Sequence, residues 1–152
     1  MDTRSAEKKD IPALSELYTH FYKHNALLQP DDCVAVKESG NYPKWILDQP
    51  LHTIFLAESE NKIIGFIHLE IVETPNYPSV VAHTFGQITD LFVLENYRRK
   101  GVGKQLITAA KQWGASNNLD YLELLVLGNN PQAINFYQKM GLNVARLILR
   151  SE

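Results

Sequence analysis

One stretch decides the fold prediction: Ile88-Thr-Asp-Leu-Phe-Val-Leu-Glu-Asn-Tyr-Arg-Arg-Lys-Gly-Val-Gly-Lys104. Its first part, together with Gln87, is rich in β-branched and apolar residues and predicts a strand from Gln87 to Leu94. Its last part opens a helix predicted from Gly101 to about Asn117. That helix has an apolar stripe formed by Val102, Leu106, Ala109 or Ala110, and Trp113. A strand, a glycine loop and a helix therefore follow one another directly.

The glycine loop has the composition of a phosphate site. Gly101 and Gly103 allow backbone conformations that are closed to other residues and let a ligand approach the main chain closely. Amides at the start of a helix point outward, where the helix dipole also favours negative charge. The neighbouring cations suit a pyrophosphate: Arg98, Arg99, Lys100 and Lys104.

Two common phosphate motifs are excluded by counting. The nucleotide P-loop requires a glycine where Arg98 stands and a Ser or Thr where Gln105 stands. The dinucleotide fingerprint requires a third glycine at the position of Leu106. The pattern that remains is Arg-x-x-Gly-x-Gly. A nucleotide-binding domain is therefore disfavoured.

A second motif follows 27 residues after Gly103: Asn130-Pro-Gln-Ala-Ile-Asn-Phe-Tyr-Gln-Lys-Met-Gly-Leu142. The two motifs together resemble those of the GNAT N-acetyltransferase superfamily. There, Gln/Arg-x-x-Gly-x-Gly/Ala joins the fourth strand to the third helix, and Asn-x-x-Ala-x-x-Phe/Leu-Tyr-x-x-x-Gly-Phe comes later. Leu142 stands where that family usually has Phe. The resemblance covers nearly the whole chain, with diagnostic motifs in residues 86–142.

The resemblance implies that acetyl-coenzyme A is the co-substrate. It implies main-chain contacts from the fourth strand to the pantetheine, pyrophosphate contacts from the loop, a pantetheine contact from Asn130 and a proton donated by Tyr137 to the departing thiolate. The cofactor-binding residues expected on this basis are Leu91, Phe92, Val93, Arg98, Arg99, Lys100, Gly101, Val102, Gly103, Lys104, Asn130, Ala133, Phe136 and Tyr137. The residues alone leave other roles open, because Asn130 also suits a helix cap and Ala133, Phe136 and Tyr137 also suit a core.

Outside the motifs, the sequence predicts one α/β domain over residues 1–152. Asp10 is a candidate cap for a first helix with Pro12 in its first turn. Gln29–Gln49 suggests short helical pieces and turns. The other predicted elements are strands at Leu51–Glu58, Lys62–Val72, Val80–Phe85 (continuing into the fourth strand), Tyr121–Leu127 and Leu142–Arg150, and a helix from Asn130 to Gly141. By resemblance alone, Arg4–Lys8 is a first strand.

These elements predict a central mixed, mostly antiparallel sheet of about six to seven strands. About four helices flank it, and the resemblance implies that the sheet is splayed between strands four and five. Only about ten residues follow the last helix, whereas many family members have two strands there. A homodimer, in which a neighbouring chain completes this strand, is compatible with the short end.

Composition excludes several classes. The net charge is −2 and no long basic run occurs, so no nucleic-acid partner is expected. No apolar run approaches a membrane span and the start lacks a signal-peptide core, so we expect a cytoplasmic protein without a membrane partner. The lone Cys33 excludes an internal disulfide and is expected to pack. No metal is expected, because His20, His24 and His52 lack metal spacing.

Direct acyl transfer to an amine requires a base. Asp90 is the first candidate because it lies on the fourth strand near the expected acyl position, although strand alternation leaves its direction open. Glu70, Glu73, His83 and a base acting through ordered water remain alternatives. The acceptor, an amine of a small molecule or peptide, is expected between Tyr18 and Trp45 and at the Glu73–Phe85 hairpin. A coenzyme A-binding regulatory module without catalysis is the alternative function.

The candidates for lining the acceptor pocket are aromatic or acidic: Tyr22, Tyr42, Trp45, Tyr77, Asp31 and Asp32. Aromatic rings can recognise a cationic amine, but they also serve as core residues. For the two aspartates, a helix cap or a solvated turn is an equally ordinary role.

Overall fold

The structure is a computed structural model that describes residues 1–36 and 40–152. In chain order its elements are β1 (Asp2–Ser5), α1 (Ile11–Leu28), α2 (Tyr42–Asp48), β2 (His52–Ser59), β3 (Lys62–Glu73), β4 (Thr84–Val93), α3 (Val102–Ser116), β5 (Leu122–Leu124) and α4 (Pro131–Lys139). Single 3-10 turns lie at Lys8–Asp10 and Glu95–Tyr97.

Across the described ranges, the strands form one five-stranded sheet in the order β1-β2-β3-β4-β5. Neighbouring strands are antiparallel except for β4 and β5, which are parallel. The turn between β2 and β3 is tight because Glu60 and Asn61 both adopt positive φ, at 50° and 62°. The mixed, mostly antiparallel sheet with four helices agrees with the prediction. The predicted six to seven strands are wrong.

Two apolar clusters sandwich the sheet. One joins β2, β3 and β4 to α3 and is centred on Ile64, Ile67 and Leu106. The other joins the opposite face to α1 and α2 and is centred on Tyr18, Ile46 and Phe66. Because a strand directs successive side chains to opposite faces, β3 supplies residues to both clusters.

A β-bulge in β4 changes which residues face each cluster. His68 pairs with Asp90 and Leu69 pairs with Ile88, so Thr89 is the extra residue. Ile88 packs in the α3 cluster. Without the bulge, Asp90 would share that face, but the extra residue directs it to the face covered by α1 and α2. The bulge therefore determines the direction of the candidate base.

The predicted closing strand Leu142–Arg150 is wrong, because residues 142–152 adopt no regular secondary structure. Leu142 still packs beside the α3 cluster, but the apolar side chains after it lie in solvent, with Val144 63% and Leu149 91% exposed. β5 is also shorter than the predicted Tyr121–Leu127. Its pairing with β4 ends at Ile88 opposite Leu124, immediately before the bulge. The two strands therefore separate beyond that point, as the predicted splay requires.

Three smaller predictions need correction. The first strand ends at Ser5 instead of extending to Lys8, because the chain turns at Lys8–Asp10. Residues 80–83 are not in a strand, and β4 begins at Thr84. Asp10 immediately precedes α1, but its side chain does not cap that helix.

Instead, Asp10 belongs to a buried ion pair. Its carboxylate accepts two hydrogen bonds of 2.8 Å from Arg4, and a third of 2.8 Å from the amide of Glu7. The Arg4 guanidinium lowers the pKa of this carboxyl. The pair therefore fixes the start of α1 against β1.

Among the described residues, no helix is both long enough and apolar enough to cross a membrane. The cytoplasmic location stays a prediction.

Candidate active site

The glycine loop has the conformation that its composition predicts. Gly101 adopts φ +84°, and an added Cβ there would meet open space within 4 Å. The first helical hydrogen bond of α3 runs from the amide of Gln105 to the carbonyl of Gly101. The amides of Val102, Gly103 and Lys104 therefore lie in the first turn, where a helix provides no acceptor for them. Several donors point out of the helix end towards one place.

The four cations of the loop do not behave alike. Arg98 is half-buried, and its Nε donates a 2.8 Å hydrogen bond to the carbonyl of Val93. Its guanidinium also lies 5.4 Å from the centre of the Phe92 ring. Arg99, Lys100 and Lys104 are exposed. Arg98 is thus fixed beside the strand end, while the other three side chains can reach a ligand in solvent.

The open edge of β4 presents main-chain groups where β5 has left it. The amide of Leu94 donates to the carbonyl of Ile64 on β3. Hydrogen-bonded and non-hydrogen-bonded residue pairs alternate in an antiparallel ladder. The main-chain N–H and C=O groups of Leu91 and Val93 therefore point away from β3. The Phe92 side chain is buried in the α1 cluster, and its main chain faces β3. Phe92, a predicted cofactor contact, therefore faces away from the open edge.

The second motif forms the start of α4. The Asn130 side chain accepts a 3.2 Å hydrogen bond from the amide of Ala133, so Asn130 is a helix cap. The Phe136 ring packs on Gly103, where an added Cβ would lie 3.1 Å from the ring. This contact joins α4 to the first turn of α3. A Cβ at position 103 would therefore require the Phe136 ring to move by a few tenths of an ångström.

Tyr137 follows on the same helix. Its ring packs beside the α3 cluster, and burial raises the pKa of its hydroxyl to about 12. Within the described part of the chain, no protein group bonds to this hydroxyl. The hydroxyl therefore stays protonated at neutral pH and is available to donate.

Asp90 lies at the centre of a polar cluster on the face of α1 and α2. Its Oδ2 accepts hydrogen bonds from Tyr18 at 2.8 Å and from Tyr42 at 3.5 Å, and lies 3.1 Å from Nδ1 of His68. Burial, and then the charge of Asp90, raise the pKa of both tyrosine hydroxyls. In the described ranges, no protein group forms a hydrogen bond or an ion pair with Oδ1. One oxygen is held by three groups while the other remains available.

The cluster continues away from Asp90 through a second histidine. Nε2 of His68 lies 2.9 Å from Nδ1 of His52, and Nε2 of His52 lies 3.6 Å from Oε1 of Glu70. These contacts follow from strand register, since His68 is opposite Asp90 and His52 is opposite Glu70. Two predicted base candidates, Asp90 and Glu70, are thus joined through histidines.

Sequence reasoning missed these histidines. From the sequence, His52 is named only as a residue without metal spacing, and His68 is not named. One signal was present, because His68 and Glu70 are two residues apart on a strand and therefore share a face.

Other predicted candidates lie elsewhere. His83 forms a 3.0 Å pair with Asp120 and lies before β4 begins, and Glu73 is exposed at the far end of β3. Tyr77 is 64% exposed on the same hairpin.

The remaining acceptor candidates divide into two groups. Tyr22, Tyr42 and Trp45 surround the Asp90 cluster, with Tyr42 stacked on Trp45 at 6.2 Å. Asp31 is exposed, and Asp32 pairs with Arg150 at 2.7 Å. Cys33 is half-buried and contacts Gln29.

Comparison with known proteins settles the family. The family model described as "Acetyltransferase (GNAT) family" matches residues 11–142. The chain belongs to this family. Membership of this family is what the two motifs predicted.

Relatives and solved structures agree with the family. L-ornithine N5-acetyltransferase NATA1 of Arabidopsis thaliana is 37% identical over 100 residues, which cover 64% of this chain and 42% of that enzyme. The chain therefore spans less than half of this plant relative. An uncharacterized N-acetyltransferase of Archaeoglobus fulgidus is 27% identical over 143 residues, covering 93% of this chain and 92% of that protein.

Two structures show the same GNAT fold. The BH1408 protein of Bacillus halodurans, solved as a tetramutant, superimposes with a TM-score of 0.91 at 22% identity, covering 100% of this chain and 99% of that one. Aminoglycoside N-acetyltransferase AAC(6')-Iy in complex with CoA superimposes with a TM-score of 0.77 at 20% identity. The match covers 99% of this chain and 98% of that one.

Proposed function

We propose that this GNAT protein transfers an acetyl group from acetyl-coenzyme A to a cationic primary amine of a small molecule or peptide. One observation supports this most strongly. Gly101 adopts the left-handed conformation at the start of α3, and the helix provides no acceptor for the amides of its first turn. This helix start lies beside the edge of β4 at which β5 no longer pairs. The alternative, binding without catalysis, is not favoured by any particular contact.

The loop fits the pyrophosphate of acetyl-coenzyme A. The amides of Val102, Gly103 and Lys104 would donate to phosphate oxygens, and the exposed Arg99, Lys100 and Lys104 would neutralise their charge. Open space around Gly101 supports this, because a phosphate needs the room that a Cβ would fill. Along the β4 edge, the main chain of Leu91 and Val93 would hold the pantetheine. Asn130 and Phe136 would close the other side.

We propose that Asp90 is the base. An alkylamine with a pKa of about 10.4 is mostly protonated at pH 7, a deficit of about 4–5 kcal/mol. The free Oδ1 can accept the ammonium proton, while the hydroxyls of Tyr18 and Tyr42 hold Oδ2 in position. The amine nitrogen then forms its bond to the thioester carbonyl carbon as the carbon–sulfur bond breaks. The Val93 amide at the open edge is suited to stabilise the developing oxyanion.

We propose that Tyr137 protonates the departing sulfur. Its hydroxyl has no competing acceptor among the described residues and retains its proton at neutral pH. A positioned general acid usually contributes about 10²–10⁴ in rate. Its role complements that of Asp90. The ammonium nitrogen loses one proton to Asp90 before the attack and a second as the amide forms, and the second replaces, through water, the proton that Tyr137 gives to sulfur.

The surroundings of Asp90 support a cationic acceptor. Two carboxylates, Asp90 and Glu70, and the rings of Tyr22, Tyr42 and Trp45 lie on one side of the sheet. Carboxylates pair with ammonium groups, and aromatic faces attract cations. The similarity to an L-ornithine N5-acetyltransferase agrees with an amine acceptor.

We also propose a homodimer completed by the C-terminal segment, residues 143–150. Val144, Leu147, Ile148 and Leu149 are each at least 63% exposed, which is unusual for a run of apolar residues. β5 is a short edge strand, and Leu125 immediately after it is 79% exposed. If the C-terminal segment of one copy packed beside β5 of the other copy, the exposed side chains of the segment and the exposed edge of β5 would both be covered. Sedimentation would give a dimer, and deletion of residues 143–152 a monomer; a monomeric full-length chain would contradict the proposal.

The catalytic proposal is tested by thiol release from acetyl-coenzyme A with a panel of amines. Tyr137→Phe should lower kcat by about 10²-fold or more while leaving the affinity for the co-substrate nearly unchanged. Tyr77→Phe, an exposed tyrosine outside the site, is the matched control. Tight binding with no thiol release for any amine, and no effect of Tyr137→Phe, would favour the regulatory module.

A further inference from the structure

The reaction proposed above releases a net proton. An ammonium and a thioester become an amide, a neutral thiol and one proton. Asp90, which would take that proton, is largely enclosed, with its side chain only 15% exposed. An acceptor bound against Asp90 would cover the part that is still exposed, so a proton that leaves while the site is occupied needs another route to solvent.

We propose that His68 and His52 form this route, carrying the proton from Asp90 to Glu70 at the surface. This inference rests on the proposed function of Asp90. The side chains become more exposed along the row, from 1% for His68 to 12% for His52 and 36% for Glu70. The contacts between them measure 3.1 Å, 2.9 Å and 3.6 Å from Asp90 outward.

Counting protons shows why the row can conduct. It has three gaps. The two inner gaps are at hydrogen-bond distance, and the outer one, 3.6 Å between His52 and Glu70, must shorten slightly before a proton in it can form a hydrogen bond. Two neutral imidazoles supply two protons, so a third can be accommodated.

The proton that Asp90 takes up on Oδ1 comes opposite Nδ1 of His68 once the carboxyl group turns, because Nδ1 contacts Oδ2 before the turn. His68 accepts the proton there when both rings carry their own protons on Nε2. His68 then passes its Nε2 proton to His52, and His52 passes its own to Glu70. Both rings must then return to the Nε2 tautomer before the next turnover.

The neighbouring groups keep the proton in this row. Tyr18 and Tyr42 both contact Oδ2 of Asp90, but burial raises the pKa of both hydroxyls, so they remain donors. Burial lowers the pKa of His52, although the charge of Glu70 opposes part of this shift. The lowered pKa favours a neutral ring, which can accept a proton. The Trp45 ring covers His52 edge-on at 5.2 Å and offers no acceptor.

A measurement that needs no activity tests the shared proton. When the two imidazole rings together carry three protons, each of the three gaps contains one. A fourth proton has no gap left, because two N–H groups would then face each other across the 2.9 Å between His68 and His52. Titration of ring-¹⁵N-labelled protein by NMR, across the pH range in which it stays folded, should show the two rings gaining one proton between them. Two independent protonations, one on each ring, would overturn the relay.

Kinetics test the flow of protons. In dilute buffer at pH 7, His52→Ala should lower kcat by about 10²-fold without changing the KM for acetyl-coenzyme A. Added imidazole should restore the rate, and substituted imidazoles should do so in an order set by their pKa, which a purely structural role would not produce. His83→Ala, in an exposed His–Asp pair, is the matched control and should keep wild-type kcat.

If His52→Ala does not fold, Glu70→Gln serves instead and should lower kcat in dilute buffer, with recovery as buffer concentration rises. An unchanged kcat in the folded variant, or a loss that neither imidazole nor buffer restores, would overturn the relay. A wild-type protein that acetylates no amine would count against the proposed function, while the NMR titration would still decide the shared proton.

Discussion

Replacing Gly101 by alanine tests the conformation of the phosphate loop. Gly101 adopts φ +84°, in the left-handed region, and an added Cβ would contact nothing within 4 Å. The cost is therefore backbone strain alone, about 1–2 kcal/mol for an L-residue in that region. Over 152 residues, an unfolding entropy of about 2.1 cal/mol/K per residue converts this into a fall in Tm of about 3–6 °C.

Calorimetric melting of the purified variants measures this effect. Gly101→Asn should lose less stability than Gly101→Ala, because asparagine tolerates the left-handed region. Gly40→Ala is the matched control, since Gly40 has φ +60° and equally open surroundings but lies before α2. It should lose comparable stability yet bind coenzyme A as the wild type does, whereas Gly101→Ala should bind about tenfold more weakly. A Tm for Gly101→Ala equal to that of wild type would refute the loop geometry.

Three further predictions concern stability. Arg4→Met leaves the buried Asp10 carboxylate without its main partner and should cost about 2–4 kcal/mol in urea unfolding; a loss below about 0.5 kcal/mol would contradict the pair. Because Arg4 lowers the pKa of Asp10 in the folded state, the pair contributes its full stability above the unfolded pKa of about 3.9. This contribution to the free energy of unfolding is lost as the pH falls through the folded pKa of Asp10. Acid unfolding of Arg4→Met should therefore lack this pH-dependent loss. Gly86→Ala would bring a Cβ within 2.8 Å of Trp113 and should cost about 1–3 kcal/mol, measured by thermal melting, with an unchanged Tm as the contrary result.

The elements that the sequence predicted best depend on local signals. The glycine loop, the cap at Asn130 and the stop at Gly141 are each determined by a few neighbouring residues, and Gly141 adopts φ +89° as a helix end requires. Membership of the family followed from two such local motifs in order. Local chemistry was sufficient for these features.

The elements that the sequence could not predict depend on pairing between distant segments. Leu142–Arg150 has the apolar composition of a strand, but a strand also requires a neighbouring strand, and composition does not specify one. Similarly, β5 ends early because β4 diverges at the bulge. A one-residue bulge is invisible in composition and reverses the face of every residue after it.

The same limit explains the incomplete site. Asp90 was identified, but its direction was left open because alternation from Ile88 gives the wrong face. His68 and His52 contact their partners only through the registers of β2 with β3 and β3 with β4. Cross-strand neighbours separated by 16 to 22 positions in the chain have no local signature.

Isothermal titration of the folded protein with coenzyme A and acetyl-coenzyme A tests the central claim, that the Gly101–Gly103 loop holds a pyrophosphate. The titrations are made at two temperatures, because a binding enthalpy that happens to be zero at one temperature would not be zero at the other. The account predicts heat of association with both ligands, an affinity that falls as salt rises, and a weaker affinity for Gly101→Ala but not for Gly40→Ala. Protein that is folded by circular dichroism yet gives no heat with either ligand at either temperature would contradict it.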